Sequence, residues 1–203
     1  MSLCSFEQFL LDFEKIGKTV FGNHFRVYES DKDVILRLLV YFSKNKGKAL
    51  ELGISFRKGI LLNGMVGCGK TSLMTLFRLY LSKNDRYSIK SCRNITFQFR
   101  RQGYDVINDY SKVSFDKPNL HNYCFDDLGT EKTVKHFGNE CNVMGEILLS
   151  RYDNFVTHNI ITHITTNLTS SEIEDMYGLR VRSRMREMFN LVSFDKNTTD
   201  KRV

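Results

Sequence analysis

The segment Gly64-Met65-Val66-Gly67-Cys68-Gly69-Lys70-Thr71 fits the spacing G-x-x-x-x-G-K-[ST]. An apolar run over residues 59–62 precedes it, and Leu73, Met74, Leu76, Phe77 and Leu81 follow at helical spacing. A strand that passes into a helix through such a turn is strongly constrained. Its glycines let successive backbone N–H groups curl inward at the helix N-terminus, which makes a cradle for phosphate oxygens. The lysine then neutralises β- and γ-phosphate charge, and the threonine offers a hydroxyl to Mg²⁺, a cation that takes hard oxygen ligands and keeps several waters. The expected ligands are ATP and Mg²⁺, held by Gly64, Met65, Val66, Gly67, Cys68, Gly69, Lys70, Thr71 and Ser72.

The rest of the chain alternates in the same way. Phe6, Phe9, Leu10, Phe13 and Ile16 predict a first helix, and Ser30 precedes a second through Val34, Ile35, Leu38, Leu39 and Phe42. Short strands are expected over 87–91, 122–125, 160–166 and 191–194, with helices from about Asn94, over 140–155 and from Ser170. This order predicts an α/β fold, a parallel sheet flanked by helices that binds its ligand at the carboxyl ends of the strands. With 203 residues, 41% apolar, one core is expected. Cys4, Cys68, Cys92, Cys124 and Cys141 are odd in number and without C-x-x-C spacing, so they read as free thiols in a reducing compartment. No apolar run is long enough to span a bilayer, and a cytoplasmic protein without a membrane partner is expected.

Residues 122–127, Asn-Tyr-Cys-Phe-Asp-Asp, form a strand pattern ending in two carboxylates. Asp126 is placed to reach the metal, and Asp127 to orient or deprotonate an attacking water, with Glu131 as a backup. Asn167, after Thr165-Thr166, could hold that water, although Asn after a strand is also an ordinary cap or turn residue. Arg180, Arg182, Arg184 and Arg186 cannot all share one helix face, so at least one should have a specific target. The net charge of +7 favours an acidic partner. Phe97, Phe99, Arg100, Arg101, Tyr104, Tyr110, Lys112 and Phe115 interleave rings with cations, as single-stranded DNA would require.

Taken in order, the phosphate loop, Asp126-Asp127-Leu128-Gly129, Arg151-Tyr152, Thr165-Thr166-Asn167 and Tyr177-Gly178-Leu179-Arg180-Val181-Arg182-Ser183-Arg184 resemble the DnaC/IstB-like branch of the AAA+ ATPases, over residues 21–194. The resemblance implies a helicase loader or a transposition helper that hydrolyses ATP, assembles with copies of itself when ATP is bound, and acts with a replicative helicase or a transposase on DNA. By position, Asp126 and Asp127 are its Walker B pair and Asn167 its sensor 1. Arg184 matches the arginine finger, with Arg180 as the alternative. Phe25 and Val27 match the segment that packs on adenine. Two departures stand out. Residues 1–20 offer only a short helix for a partner, ahead of a core at 21–203, and the nine residues after Phe194 are too few for a C-terminal lid. A small-molecule kinase and a nucleotide-switched binding module with slow hydrolysis are the other readings.

Overall fold

The computed structural model describes residues 3–83, 85–111, 122–131, 133–136, 139–196 and 198–202. The chain begins with α1 (Leu3–Phe21), a 3₁₀ turn (Glu29–Asp31), α2 (Lys32–Phe42) and a short α3 (Lys46–Glu51). It continues through β1 (Gly59–Asn63), α4 (Lys70–Tyr80), β2 (Ser88–Ser91), α5 (Cys92–Gln102), α6 (Asp105–Ser111) and β3 (Tyr123–Leu128). A hairpin of β4 (Val134–His136) and β5 (Asn139–Cys141) precedes α7 (Val143–His158), β6 (Thr162–Thr166), α8 (Ser170–Met188) and β7 (Phe189–Ser193).

Five strands pair in the order β2-β3-β6-β1-β7, all parallel. Because side chains alternate along a strand, the sheet has two apolar faces, and each is covered. Ile60, Leu62, Cys124 and Val192 pack with Phe13 of α1, Leu38 of α2 and Phe77 of α4. Phe125, Ile164 and Phe189 pack on the opposite side with Ile95, Val106, Ile147 and Val181 of α5 to α8. The alternating strand-helix pattern therefore has the expected architecture. Cys68, Cys92, Cys124 and Cys141 are buried free thiols, and among the described residues no helix is long and apolar enough to cross a membrane.

Three local expectations change. Glu140 lies in β5 rather than opening a helix, because the Asn142 side chain accepts the Gly145 N–H at 3.0 Å and caps α7 two residues later. The strand expected to stop at Phe125 runs on through the aspartate pair to Leu128. The arginine-bearing helix is broken at Gly178, whose φ of 85° and ψ of 161° separate residues 170–177 from 179–188.

β6 is buried at every position although four of its five residues carry polar atoms. Each has a specific role. The Thr162 hydroxyl accepts from Arg151 Nε at 2.6 Å, and this buried guanidinium also reaches the carbonyls of Tyr110 at 3.0 Å and Ile161 at 3.2 Å. Arg151 thus ties α7 to α6 and to the start of β6. His163 Nδ1 accepts the Ile60 N–H at 3.1 Å, and its ring lies among those of Tyr41, Phe42 and Tyr87. Burial holds its imidazole down to about 3 from 6.5, with the cations Lys44 and Arg151 adding to the effect. The unfolded chain takes up that proton near pH 6.5 and the folded chain does not. The neutral ring's contribution is therefore complete above pH 6.5 and is lost as pH falls towards about 3. Denaturant titrations should show wild-type stability falling across this window by up to about 1.4 kcal/mol per pH unit more steeply than in His163→Asn, which keeps an acceptor but cannot titrate.

Candidate nucleotide site

The loop between β1 and α4 has the conformation that its glycines allow. Gly67 and Gly69 have φ of 81° and 100°, in the left-handed region that L side chains avoid. Lys70 is buried, and its ammonium donates to the carbonyls of Gly64 at 2.8 Å and Met65 at 2.9 Å. The Gly64 N–H in turn donates to the Thr166 carbonyl at 3.2 Å, which anchors the loop to β6.

Beside the loop, β3 contains one residue more than β6 between the pairs Phe125↔Ile164 and Leu128↔Thr166. The extra residue is accommodated by Asp127, a non-glycine residue at φ 55°. In a regular strand Asp126 and Asp127 would face opposite sides of the sheet. The bulge instead leaves both at the loop. Asp126 accepts from the Thr71 hydroxyl at 2.9 Å and from the Thr165 hydroxyl at 2.7 Å. The Asp127 N–H donates to that same Thr165 oxygen at 2.9 Å. Burial pushes the Asp126 carboxyl above its ordinary value; the hydrogen bonds from Thr165 and Thr71 oppose that shift and the neighbouring charge of Asp127 adds to it.

A cavity of about 620 Å³ opens over this group. Gly67 through Leu73 and Asp127 form one side, Phe25, Val27, Tyr28 and Asp31 another, and Lys201 and Arg202 a third. Its volume is in the range of small-molecule and cofactor sites. The wall carrying Phe25 and Val27 rests on α1. Gly17 has no Cβ, and one placed there would lie 2.2 Å from the Phe25 ring, while Glu14 accepts the Val27 N–H at 2.9 Å. Glu14 and Gly17 of α1 therefore help to build the cavity, although the outer face of α1 leaves Leu11 exposed.

The oxygens of Thr71 and Asp126 converge within hydrogen-bonding distance, a donor set suited to a hard cation that completes its shell with waters and phosphate oxygens. Among the described residues no cluster of three or more His, Cys, Asp or Glu side chains could hold a metal by itself. A Mg²⁺ ion here would depend on its nucleotide for further ligands.

Several expected residues lie elsewhere. Met65 and Val66 are exposed and line a separate depression with Asn167 and Asp200. Asn167 is therefore beside the loop but outside the cavity that Lys70 and Asp127 share. Glu131 is buried, accepting the Gly129 N–H at 2.9 Å and the Tyr177 hydroxyl, so it braces α8 against the end of β3 rather than facing the cavity. Arg182 pairs with Glu174. Arg180 is exposed, and the Arg184 guanidinium lies 4.7 Å from the Tyr152 ring centroid and 4.0 Å from the Asp153 carboxylate. Neither Arg180 nor Arg184 lines the cavity that Lys70 and Asp127 share. In the ring-and-cation patch, Phe97 is exposed between Arg93 and Arg100, at 5.3 and 5.7 Å from its centroid, and Tyr104 is exposed, whereas Phe99 and Tyr110 belong to the core. Lys112 and Phe115 lie outside the described residues.

Sequence reasoning assigned no role to Thr165, Asp31 or Lys201. Thr165 had a signal, a run of polar residues in a strand that must be buried. Lys201 had none, because the fold alone brings it to the cavity.

No family model matches the chain, and no curated protein sequence does. Solved structures do. The DnaC helicase loader is 22% identical with a TM-score of 0.57, covering 83% of this chain and 92% of its own. DnaI is 20% identical with a TM-score of 0.55, at 83% and 87% coverage. The replication initiator DnaA bound to AMPPCP and single-stranded DNA is 18% identical with a TM-score of 0.51, covering 84% of this chain but only 48% of its own. With its five-stranded parallel sheet and glycine-rich loop, the chain has the fold of the DnaC helicase loader and of DnaI.

Proposed function

We propose that the chain is a Mg-ATP-dependent AAA+ ATPase of DNA replication that works as a DnaC-like helicase loader or accessory. The observation that carries this reading is the β3 bulge, which leaves Asp126 on Thr71 and Asp127 at the edge of the same cavity as Lys70. In this reading the Lys70 ammonium leaves the loop carbonyls for the β- and γ-phosphates, and Thr71 and Asp126 hold Mg²⁺. Phe25 and Val27 cover the purine. Asp127 accepts a proton from, or orients, the attacking water, so a strained backbone is tolerated at the residue that acts. A bound Mg²⁺ would supply charge neutralisation at the phosphate oxygens.

Arg180 and Arg184 line none of their own cavity, which favours their acting on a neighbouring copy. Such an arginine stabilises the transferring phosphoryl group and makes hydrolysis depend on assembly. Arg184 is the leading candidate, held over Tyr152 until a second protomer presents its nucleotide. Asn167, beside the loop, is the residue proposed to complete the water site on assembly. The partner proposed for the assembled form is a replicative helicase, with a transposase as the other reading and residues 1–20 as its contact.

Three measurements test this. Lys70→Ala should abolish binding of a fluorescent ATP analogue, whereas Asp127→Asn should bind normally and lose turnover by on the order of 10²-fold or more. Equal turnover in Asp127→Asn and wild type would remove Asp127 from the chemistry. Arg184→Ala should bind as wild type does but lose the protein-concentration-dependent part of hydrolysis, by on the order of 10³-fold. If its rate follows wild type at every concentration, the arginine does not act between copies. For single-stranded DNA, Arg93→Ala with Arg100→Ala should weaken binding and reduce the slope of log affinity against log salt by about 1 to 2, as expected for two lost phosphate contacts. An unchanged slope would place the DNA path elsewhere.

A further inference from the structure

Residues 198–202 fold back across the phosphate loop. The Lys201 N–H donates to the Gly67 carbonyl at 3.1 Å, and a Cβ on Gly67 would lie 1.9 Å from an Asp200 carboxylate oxygen. The Lys201 ammonium donates to the Cys68 carbonyl at 2.7 Å and to Asp31, and it lies 5.3 and 5.1 Å from the ring centroids of Tyr28 and Phe194. Asp31 is almost wholly buried at 3% exposure, its other oxygen accepts the Tyr28 N–H at 3.1 Å, and it lines the same cavity as Lys70 and Thr71.

We infer that Lys201 and Asp31 form an electrostatic latch of the nucleotide cavity, in which Lys201 masks a buried carboxylate that would otherwise repel the triphosphate and joins the Phe25–Val27 wall to the phosphate loop. This rests on the nucleotide reading of the cavity. The two members of the pair are unequal. Loss of the lysine leaves an uncompensated negative charge facing a polyanion, whereas neutralising the aspartate leaves an ammonium free to reach the phosphates. Lys201 is therefore a positioning residue whose removal should weaken binding, and Asp31 one whose neutralisation should not. A purely structural pair behaves differently, because breaking it from either side harms stability and binding alike.

The test measures Mg²⁺-dependent binding of a fluorescent ATP analogue to the full chain. Lys201→Met keeps the aliphatic stem on Tyr28 and Phe194, and it should weaken binding about tenfold or more. Asp31→Asn should bind at least as tightly as wild type, and the double variant should recover most of the loss. Lys201→Arg preserves the charge, tests the pair without a buried unpaired group, and should stay within about threefold of wild type. The latch is overturned if Lys201→Met binds like wild type, or if Asp31→Asn weakens binding as much as Lys201→Met does. Binding by wild type that is lost only in Lys70→Ala overturns the latch alone. Absence of binding by wild type overturns the nucleotide reading and the latch with it.

Discussion

The hydroxyl of Thr165 holds together the part of the molecule on which the site depends. It donates to the Asp126 carboxylate and accepts the Asp127 N–H, so one oxygen restrains both halves of a bulge that would otherwise relax into regular strand. A non-glycine residue with positive φ persists only where its surroundings over-determine it. Thr165 supplies that restraint from the neighbouring strand, and the Thr71 hydroxyl supplies more from the helix beyond the loop. Sheet register, loop conformation and the direction of two carboxylates are thus coupled through two hydroxyls.

Burial explains why the restraint is stiff. The sheet is covered on both faces, so β6 cannot exchange its hydrogen bonds with water. A buried polar atom without a partner costs free energy on the order of 1–3 kcal/mol, which is why Thr162, Thr165 and Thr166 are each committed to a definite acceptor or donor. His163 follows the same rule, remaining neutral among aromatic rings and accepting from β1. Polar residues in this strand are the fixed points on which loop, bulge and helix α7 are aligned.

The cavity, by contrast, is assembled from segments far apart in the chain. α1 carries the wall that holds Phe25, because Gly17 leaves space for the ring. Residues 198–202 close the opposite side through Lys201. The arginines of α8 are turned away from it, with Gly178 breaking the helix so that Val181, Met185 and Met188 can be buried while Arg184 lies on Tyr152. One chain therefore supplies the glycine-rich loop, the paired oxygens of Thr71 and Asp126 and the Phe25–Val27 wall, and its Arg180 and Arg184 lie outside the cavity.

By itself the sequence determined what local physics can determine. The glycine spacing at 64–69, the strand before it and the helix after it specify a tight turn that ends at a helix N-terminus, because φ values open only to glycine and a helix N-terminus are properties of adjacent residues. The alternation of strands and helices likewise specified the parallel sheet, and the aspartate pair picked out the strand that lies beside the loop. The tertiary structure decided the rest. That both aspartates turn to one side follows from a register shift against β6, which neither strand contains alone. That Glu131 braces Tyr177, and that Lys201 meets Asp31, depends on contacts between residues 46 and 170 positions apart, whose pairing free energy is set by burial and distance in the folded chain.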